Sequence, residues 1–555
     1  MQKKTGSLVG MAALAAVLML GTSHYALAAQ KAAALAGTVS SDAEGKMEGV
    51  VVTALKQGSS VSVSVTSDKD GHYSFPADHV GPGHYMLTIR AVGYDLGSGG
   101  TADIAAGKSA TADLKLVKTK DLASQLTNAE WMMSVPGTEA QKNSLLNCNG
   151  CHTLQRVVRS THDAEEWAQT IPRMMHYTFQ SQPIKPIPRK DPKWGGTPDQ
   201  YRDMAAYLAT INLSKSEDWD YKLQTLPRPT GRATRAIVTE YTLPRPEIEP
   251  HDVVLDKTGA AWYTDFDELK IGRLDPKTGQ VTEYPLPELK PGFPTGALDL
   301  EKDPYSGKLW TGMMYQPAIA EFDPTTKKIV KTLEIPKPLN NVDTQINMLG
   351  LNYKVDGHIW SNDAGTQDVY RIDVKTNQWQ TFQPLKELPR KGPSSIYGIV
   401  SDSHNNLWFT EFLSNYIGEI DAKTLKTTWY QTPSEHTRPR RMEIDKNDKL
   451  WFAEYGGNGV GAFDTKTQKF QEWKLPIAYS APYYVTFDKH GELWTGGMTT
   501  DRVTRLDPKT GQTTEYLMPG DTNIRRAFVD NSTNPVTFWT GANHTAKIYR
   551  VEPLD

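Results

Sequence analysis

Two cysteines and one histidine carry the clearest chemistry in this 555-residue chain. Cys148, Cys151 and His152 form a C-x-x-C-H run, and the chain has no other cysteine. At that spacing two thiols reach the two vinyl groups of one porphyrin, and the adjacent imidazole meets its iron. The run therefore predicts covalently attached haem c, with His152 as the proximal ligand. A redox dithiol would want a βαβ context, and tetrahedral zinc would want more Cys or His ligands at finger spacing. The sequence offers neither. With both thiols committed, no disulfide staples the fold.

A second axial ligand must come from elsewhere, and a methionine there raises the haem potential. Met174 is the first candidate and Met175 the next. Met204 falls on the apolar stripe of a later helix and reads as core. His176 and His162 remain as bis-histidine alternatives. Arg173-Met174 follow Trp167 in a Trp-x5-Arg-Met pattern. That pattern resembles the distal segment of cytochrome domains in quinohaemoprotein-type dehydrogenases, which implies Met174.

The elements around the motif read as helices, within a domain over 122–215. Glu139 to Leu146 leads into the cysteines. Ala164 to Tyr177 carries Trp167, Ile171 and Met174 or Met175 at helical spacing. Asp199 to Ile211 closes the domain, with Thr197 as cap and Pro198 at the first position. A helix into C-x-x-C-H, a distal segment and a final Ala-Tyr-Leu helix together resemble a small monohaem cytochrome c.

The compartment agrees with haem attachment. Lys3 and Lys4 precede an apolar run from Leu8 to Leu20, and Ala26-Leu27-Ala28 offers a small-x-small cleavage site. Residues 1–28 read as a secretory signal peptide, and no later stretch has the apolar length of a membrane span. The expectation is a soluble periplasmic protein. Its 61 basic and 64 acidic residues give no excess that would suit nucleic acid or an anionic membrane.

Residues 33–118 alternate with period two, as in Val61-Ser62-Val63-Ser64-Val65, between turns such as Asp70-Gly71 and Gly81-Pro82-Gly83. This predicts an antiparallel β-sandwich. The series Gly37-x-Val39, Gly71-x-Tyr73-x-Phe75, Gly83-x-Tyr85-x-Leu87 and Gly93-Tyr94 resembles the carboxypeptidase regulatory-like domain. That resemblance implies a prealbumin-type accessory module, sometimes grouped with carbohydrate-binding-like folds, with no catalytic residue.

Residues 235–555 hold an internal repeat. Tryptophans recur at 262, 310, 360, 408, 451, 494 and 539, in contexts such as Leu-Trp-Phe-Thr-Glu and Leu-Trp-Thr-Gly-Gly. Four short strands per repeat, seven times, predict a seven-bladed β-propeller. The last repeat lacks a fourth strand, and Val238-Thr239-Glu240-Tyr241 supplies it from before the first blade, closing the ring. The overall expectation is a multidomain, mainly β protein: prealbumin-like sandwich, small α-helical cytochrome c domain, seven-bladed propeller.

The Leu-Trp-Phe-Thr-Glu and Ile-Gly-Arg-Leu-Asp strings resemble streptogramin B (virginiamycin B) lyase across nearly the whole ring. Such strings carry fold better than activity. The resemblance implies metal-assisted elimination opening a cyclic depsipeptide, with a Glu-x-His pair on one blade and a second histidine on the preceding blade. Glu249-Pro250-His251 matches the pair, which makes Glu249 and His251 the catalytic candidates. The second histidine falls on Arg525, and a guanidinium offers no proton acceptor. The other strand starts present Leu349, Tyr397, Arg440 and Tyr483.

One rim of the ring would therefore gather Glu249, His251, Tyr397, Arg440, Arg441, Tyr483, Arg525 and Arg526. Acids follow four blade tryptophans by three residues: Asp265, Asp363, Glu411 and Glu454. Such a funnel suits a polar or anionic ligand, or a divalent metal. The alternative is a set of ion pairs between blades, with His251 a structural histidine. The functional expectation is an exported c-type haem electron-transfer protein, part of a periplasmic oxidoreductase, whose propeller holds a redox partner or small substrate. The alternatives are a lyase-like enzyme and a non-enzymatic ligand-binding haem sensor.

Overall fold

The computed structural model describes residues 32–555; the expected signal peptide lies outside the described residues. Strands from Ala33 to Lys118 form the sandwich. One sheet is built on Ala33–Ser41, which pairs with Leu114–Lys118 in parallel and with His72–Pro76 antiparallel. The other contains Val51–Lys56, Val61–Thr66, Gly83–Arg90 and Thr101–Ile104. Leu35, Val39, Val52, Phe75, Leu87 and Leu114 fill the space between them.

This second sheet does not end at the sandwich. Val61–Thr66 pairs antiparallel with Ala236–Thr242, in register Val65 to Ile237 and Val61 to Tyr241. Ala236–Thr242 in turn pairs with the last strand, Lys547–Pro553. The closing strand thus sits where the sequence puts it, and the sandwich extends the seventh blade into an eight-stranded sheet. Pairing both edges removes two exposed rows of backbone donors and acceptors. Ser62 and Ser64, the polar positions of the alternating strand, are buried in this joined sheet.

The seven blades carry their tryptophans on the second strand, from Ala261–Asp265 in the first to Thr537–Ala542 in the last. The repeat has a local cause. In four blades an aspartate six residues earlier accepts the indole N–H: Asp256 from Trp262 at 2.8 Å, Asp402 from Trp408 at 3.1 Å, Asp445 from Trp451 at 3.3 Å and Asp488 from Trp494 at 3.0 Å. The same Asp256 carboxylate accepts the Thr258 backbone N–H, so one side chain fixes both turn and tryptophan. The glycine of the Ile-Gly strings is also structural. A Cβ on Gly272 would overlap the Tyr263 ring, and one on Gly418 the Phe409 ring.

Between sandwich and ring lie the helices Asn128–Ser134, Glu139–Ser144, Gln155–Val158, Ala164–Met175 and Arg202–Ile211. Capping boxes start three of them, at Thr127 with Glu130, Thr138 with Gln141 and Asp163 with Glu166. The leading helix stops at Ser144, two residues short of its expected end, and tight turns carry Leu145–Gly150. The final helix is likewise preceded by a tight turn over Pro198–Tyr201. Trp131, Leu146, Trp167, Ile171 and Leu208 form a core that continues into Tyr483, Trp494, Ile524 and Phe538 of the propeller. A segment of this size gains stability by sharing a core. Trp167 and Ile171 face that core, but Met174 and Met175 do not. No helix among the described residues is long and apolar enough to cross a membrane.

Candidate functional site

The first strand of six blades breaks register after its opening residue, for example between Pro250 and Val253, Pro439 and Met442, and Ile524 and Ala527. Such bulges re-aim side chains. The residues inside these bulges are His251-Asp252, Asn347-Met348, Tyr397-Gly398, Arg440-Arg441, Tyr483-Tyr484 and Arg525-Arg526.

The second members Asp252, Arg441 and Arg526 contribute to a closed ionic cluster. Arg441 donates to Asp252 at 2.9 Å and to Asp299 at 3.1 Å. Arg526 reaches Asp252 at 3.2 Å, Asp299 at 3.0 Å and Glu301 at 2.6 Å. Asp252 and Asp299 are buried. Although burial opposes it, the Arg441 charge and the His251 bond hold the Asp252 carboxyl well below its ordinary range. Arg441 and Arg526 are therefore ion-pair partners between blades and not free ligand-binding groups, which corrects the expectation from sequence.

The first members form a separate layer at the mouth. His251 Nδ1 bonds Asp252 at 2.6 Å, and its Nε2 lies 3.1 Å from the Tyr483 hydroxyl. Tyr483 and Tyr397 share a hydrogen bond of 2.5 Å. Arg440 stacks 4.2 Å from the Tyr483 ring centre and 5.0 Å from that of Tyr397. Burial lowers the His251 pKa to about 3, so its ring is neutral. Burial raises Glu249 well above the carboxylate range.

Glu249 meets a histidine that sequence reasoning missed. His544 Nδ1 lies 3.1 Å from its Oε1, and His544 Nε2 lies 2.9 Å from the Gly150 carbonyl. A carbonyl only accepts, so Nε2 carries the proton and Nδ1 accepts from a protonated Glu249. The available signal was offset: His544 is the only histidine five residues past a blade tryptophan.

That Gly150 contact joins the two candidate sites. Asn523 Nδ2 donates to the Asn149 carbonyl at 2.9 Å, and Arg525 Nη2 to the Gly150 carbonyl at 3.2 Å. The middle of the C-x-x-C-H run is thus clamped over Glu249, Arg525 and His544, and Asn149 is fully buried. A strap from the same domain covers the neighbouring rim. Gln182 donates to the Glu247 carbonyl at 3.0 Å, Lys185 pairs with Asp267 at 2.8 Å and Arg189 reaches the Tyr315 hydroxyl at 3.1 Å.

The residues of the run suit a covalently held metalloporphyrin. Both thiols are free, and burial raises them to about 11 and about 12. His152 Nδ1 donates to the Thr153 carbonyl at 2.9 Å, which leaves the Nε2 lone pair available to a metal. Burial lowers its pKa, favouring the neutral form a metal needs. Met174, Met175, Phe179 and Ile184 are 37%, 41%, 56% and 62% exposed, an unusual run of large apolar side chains on one segment. Phe179 lies against Gly150. Among the alternative ligands, His162 packs edge-on to Trp167, with ring centres 5.1 Å apart.

The acids three residues past the tryptophans serve the fold. Asp265 accepts backbone N–H groups of Glu249, Asp267 and Glu268 at 3.2–3.3 Å. Glu411 does the same for Ser395 at 2.8 Å and Leu413 at 3.1 Å. Asp265, Asp363 and Glu411 tie their strand starts to their turns instead of facing a ligand, contrary to expectation. Glu454 stays buried without a hydrogen-bond partner, and burial pushes it up to about 8. Within the propeller, Asp265, Glu268 and Glu283 lie close enough to hold a divalent metal, but the two glutamates are already paired with cations. Arg245 bonds Glu283 at 2.6 Å and Glu268 at 3.1 Å, and Lys270 bonds Glu268 at 2.5 Å.

Comparison with known proteins agrees with the architecture. The virginiamycin B lyase family model matches residues 229–424 and 386–554. The carboxypeptidase regulatory-like domain matches residues 34–117. The two leave the helical part between them. No curated protein matches the chain. Among solved structures, selenomethionine virginiamycin B lyase from Staphylococcus aureus is 24% identical, covering 57% of this chain and 100% of its own, with TM-score 0.48. A streptogramin B lyase is 22% identical, covering 58% and 100%, with TM-score 0.49.

Proposed function

We propose that this chain, which belongs to the virginiamycin B lyase family, is an exported c-type haem protein whose propeller mouth holds its own C-x-x-C-H loop instead of a diffusible substrate. One observation carries the reading: Asn523, Arg525 and His544 clamp the Asn149 and Gly150 carbonyls directly above Glu249. Cys148 and Cys151 would hold the group through thioethers, with His152 Nε2 on one side of the iron. Met174 is the favoured second ligand, with Met175, His176 and His162 as alternatives. When bound, haem supplies one-electron exchange. The chain's residues fix and bury its anchor: the Thr153 carbonyl orients His152, and three side-chain donors immobilise the peptide between the cysteines.

The lyase chemistry that the family suggests finds poor support in this geometry. A general base needs a free lone pair within hydrogen-bond reach of the substrate. His251 has both nitrogens engaged, by Asp252 and Tyr483. Glu249 is buried, tied to His544 and shifted toward its protonated form. Arg525 stands where the resemblance would want a second histidine. Family membership and the intact Glu249–His251 pair still favour ring opening as the second reading.

Two measurements decide between them. The exported protein should retain haem stain on a denaturing gel, and Cys148→Ala with Cys151→Ala should abolish it; undiminished stain in the double variant would sink the haem assignment. Metal-dependent opening of a streptogramin B by the wild-type chain, lost in His251→Ala, would promote the lyase. Retained haem together with no ring opening is the expected result.

A further inference from the structure

Beside the clamped loop lies a solvent-open groove of about 380 Å³, between the helical part and the ring. Asn143, Ser144 and Asn147, just ahead of Cys148, form one wall; Arg390, Leu413 and Arg438 form the other. None of these six was singled out by the sequence motifs. The volume falls within the range of small-molecule sites.

The charge in this wall is unusual. Arg438 stacks on Phe412 at 4.6 Å and Tyr455 at 5.3 Å, and its one hydrogen bond is a long one of 3.4 Å to the Phe412 carbonyl. Arg440 shares the same two rings from 4.9 Å and 4.5 Å, and its Nε is buried without a partner. Arg525 follows, 5.6 Å from the Tyr483 ring and 5.4 Å from Phe266. Three guanidiniums thus alternate with aromatic rings from the groove to the C-x-x-C-H loop. Among the described residues none of the three makes an ion pair within 4.0 Å. Arg390, at the groove entrance, reaches Glu411 only at 3.7 Å. Burial and the neighbouring Arg440 charge lower the Arg438 pKa, as expected for a cation without a counter-ion.

A row of partly desolvated cations without carboxylates is costly unless an anion joins it. We infer that the groove binds a small organic carboxylate, held by the Arg438 and Arg390 guanidiniums and the Asn143 and Asn147 amide donors. The planar fork of arginine matches a carboxylate. Leu413 offers the apolar contact that an organic acid uses and inorganic phosphate does not. The carboxylate has two possible sources, a diffusible acid or a propionate of a haem on the adjacent loop. The inference itself does not depend on haem attachment.

Calorimetric titration of the full chain with succinate tests it. Saturable binding is expected, weakened at least about tenfold by Arg438→Gln and by Arg390→Gln, the scale of one charge-assisted contact. Weaker binding at higher salt should accompany it. No saturable binding in any form of the chain, or unchanged affinity in Arg438→Gln, would overturn it. Should Arg438→Gln misfold by circular dichroism, Arg438→Lys keeps the charge but loses the fork, and unchanged affinity there counts equally against the site. The Cys148→Ala, Cys151→Ala chain identifies the source. Succinate binding in both chains indicates a diffusible acid, whereas binding only in the cysteine-free chain indicates that a propionate fills the groove.

Discussion

Adjacent arginines on the same bulged strands meet opposite fates in this ring. Arg441 and Arg526 are locked to Asp252, Asp299 and Glu301. Arg440 and Arg525, one residue earlier, rest on Tyr483 with no carboxylate partner. Residue type and local sequence are the same in both layers. What differs is which end of the channel each bulge position addresses: one layer closes the fold electrostatically, and the other leaves positive charge at the mouth.

The largest effect should come from unpairing the closed layer. Arg441→Met leaves two buried carboxylates sharing Arg526, which should cost about 3–5 kcal/mol. Arg440→Met strands no carboxylate and loses ring stacking with weak contacts to Met498 and the Tyr397 hydroxyl, about 1 kcal/mol. Denaturant midpoints of the two variants measure the difference. Equal costs would break the comparison, because they would mean that Arg440 has a counter-charge after all.

Acid should read the same buried layer. His251 has its pKa lowered from 6.5 to about 3, chiefly by burial, with Asp252 opposing the shift and Arg525 and Arg441 adding to it. Tyr483, on its Nε2, is the other titratable group facing it. An unfolded chain takes up a proton below pH 6.5 that the folded ring refuses. His251 therefore contributes full stability above that pH, and loses it as pH falls toward 3. Between pH 6.5 and 4.5 the loss should be about 2–3 kcal/mol. Comparing wild type with His251→Gln across that window cancels other titrating groups. Parallel curves would mean that the ring is protonated in the folded state.

The sequence made the ring legible because its causes are local. An aspartate six residues before a tryptophan recurs in four blades, and a glycine beneath an aromatic ring in three. The closing strand was legible for the same reason: Val238-Thr239-Glu240-Tyr241 looks like every other fourth strand. Three things were not legible. The sandwich edge Val61–Thr66 pairs with Ala236–Thr242 across a long stretch of chain, with no local signature. The fate of Arg440 against Arg441 depends on depth in a channel built by seven separate segments. The meeting of Gly150 with His544 needs two domains to dock. The cysteine motif could be read, but what its backbone touches could not.

The smallest effect is also the most discriminating, because it keeps every charge in place. Lysine at 525 retains a cation but loses the fork that bonds Asn523 at 2.7 Å and Gly150 at 3.2 Å. Lysine at 526 retains a cation among three carboxylates. If the deep layer depends on charge, Arg526→Lys should cost under about 1 kcal/mol, since an ammonium can still face Asp252, Asp299 and Glu301. If the mouth depends on shape, Arg525→Lys should cost about 1 kcal/mol and, more tellingly, loosen the loop. Amide exchange near Asn149 and Gly150 should then quicken several-fold while the blade cores keep their protection. Unchanged loop exchange in Arg525→Lys would show that Asn523 and His544 suffice to seat the C-x-x-C-H segment. Arg525 would then belong with the unpaired cations of the groove and not with the clamp.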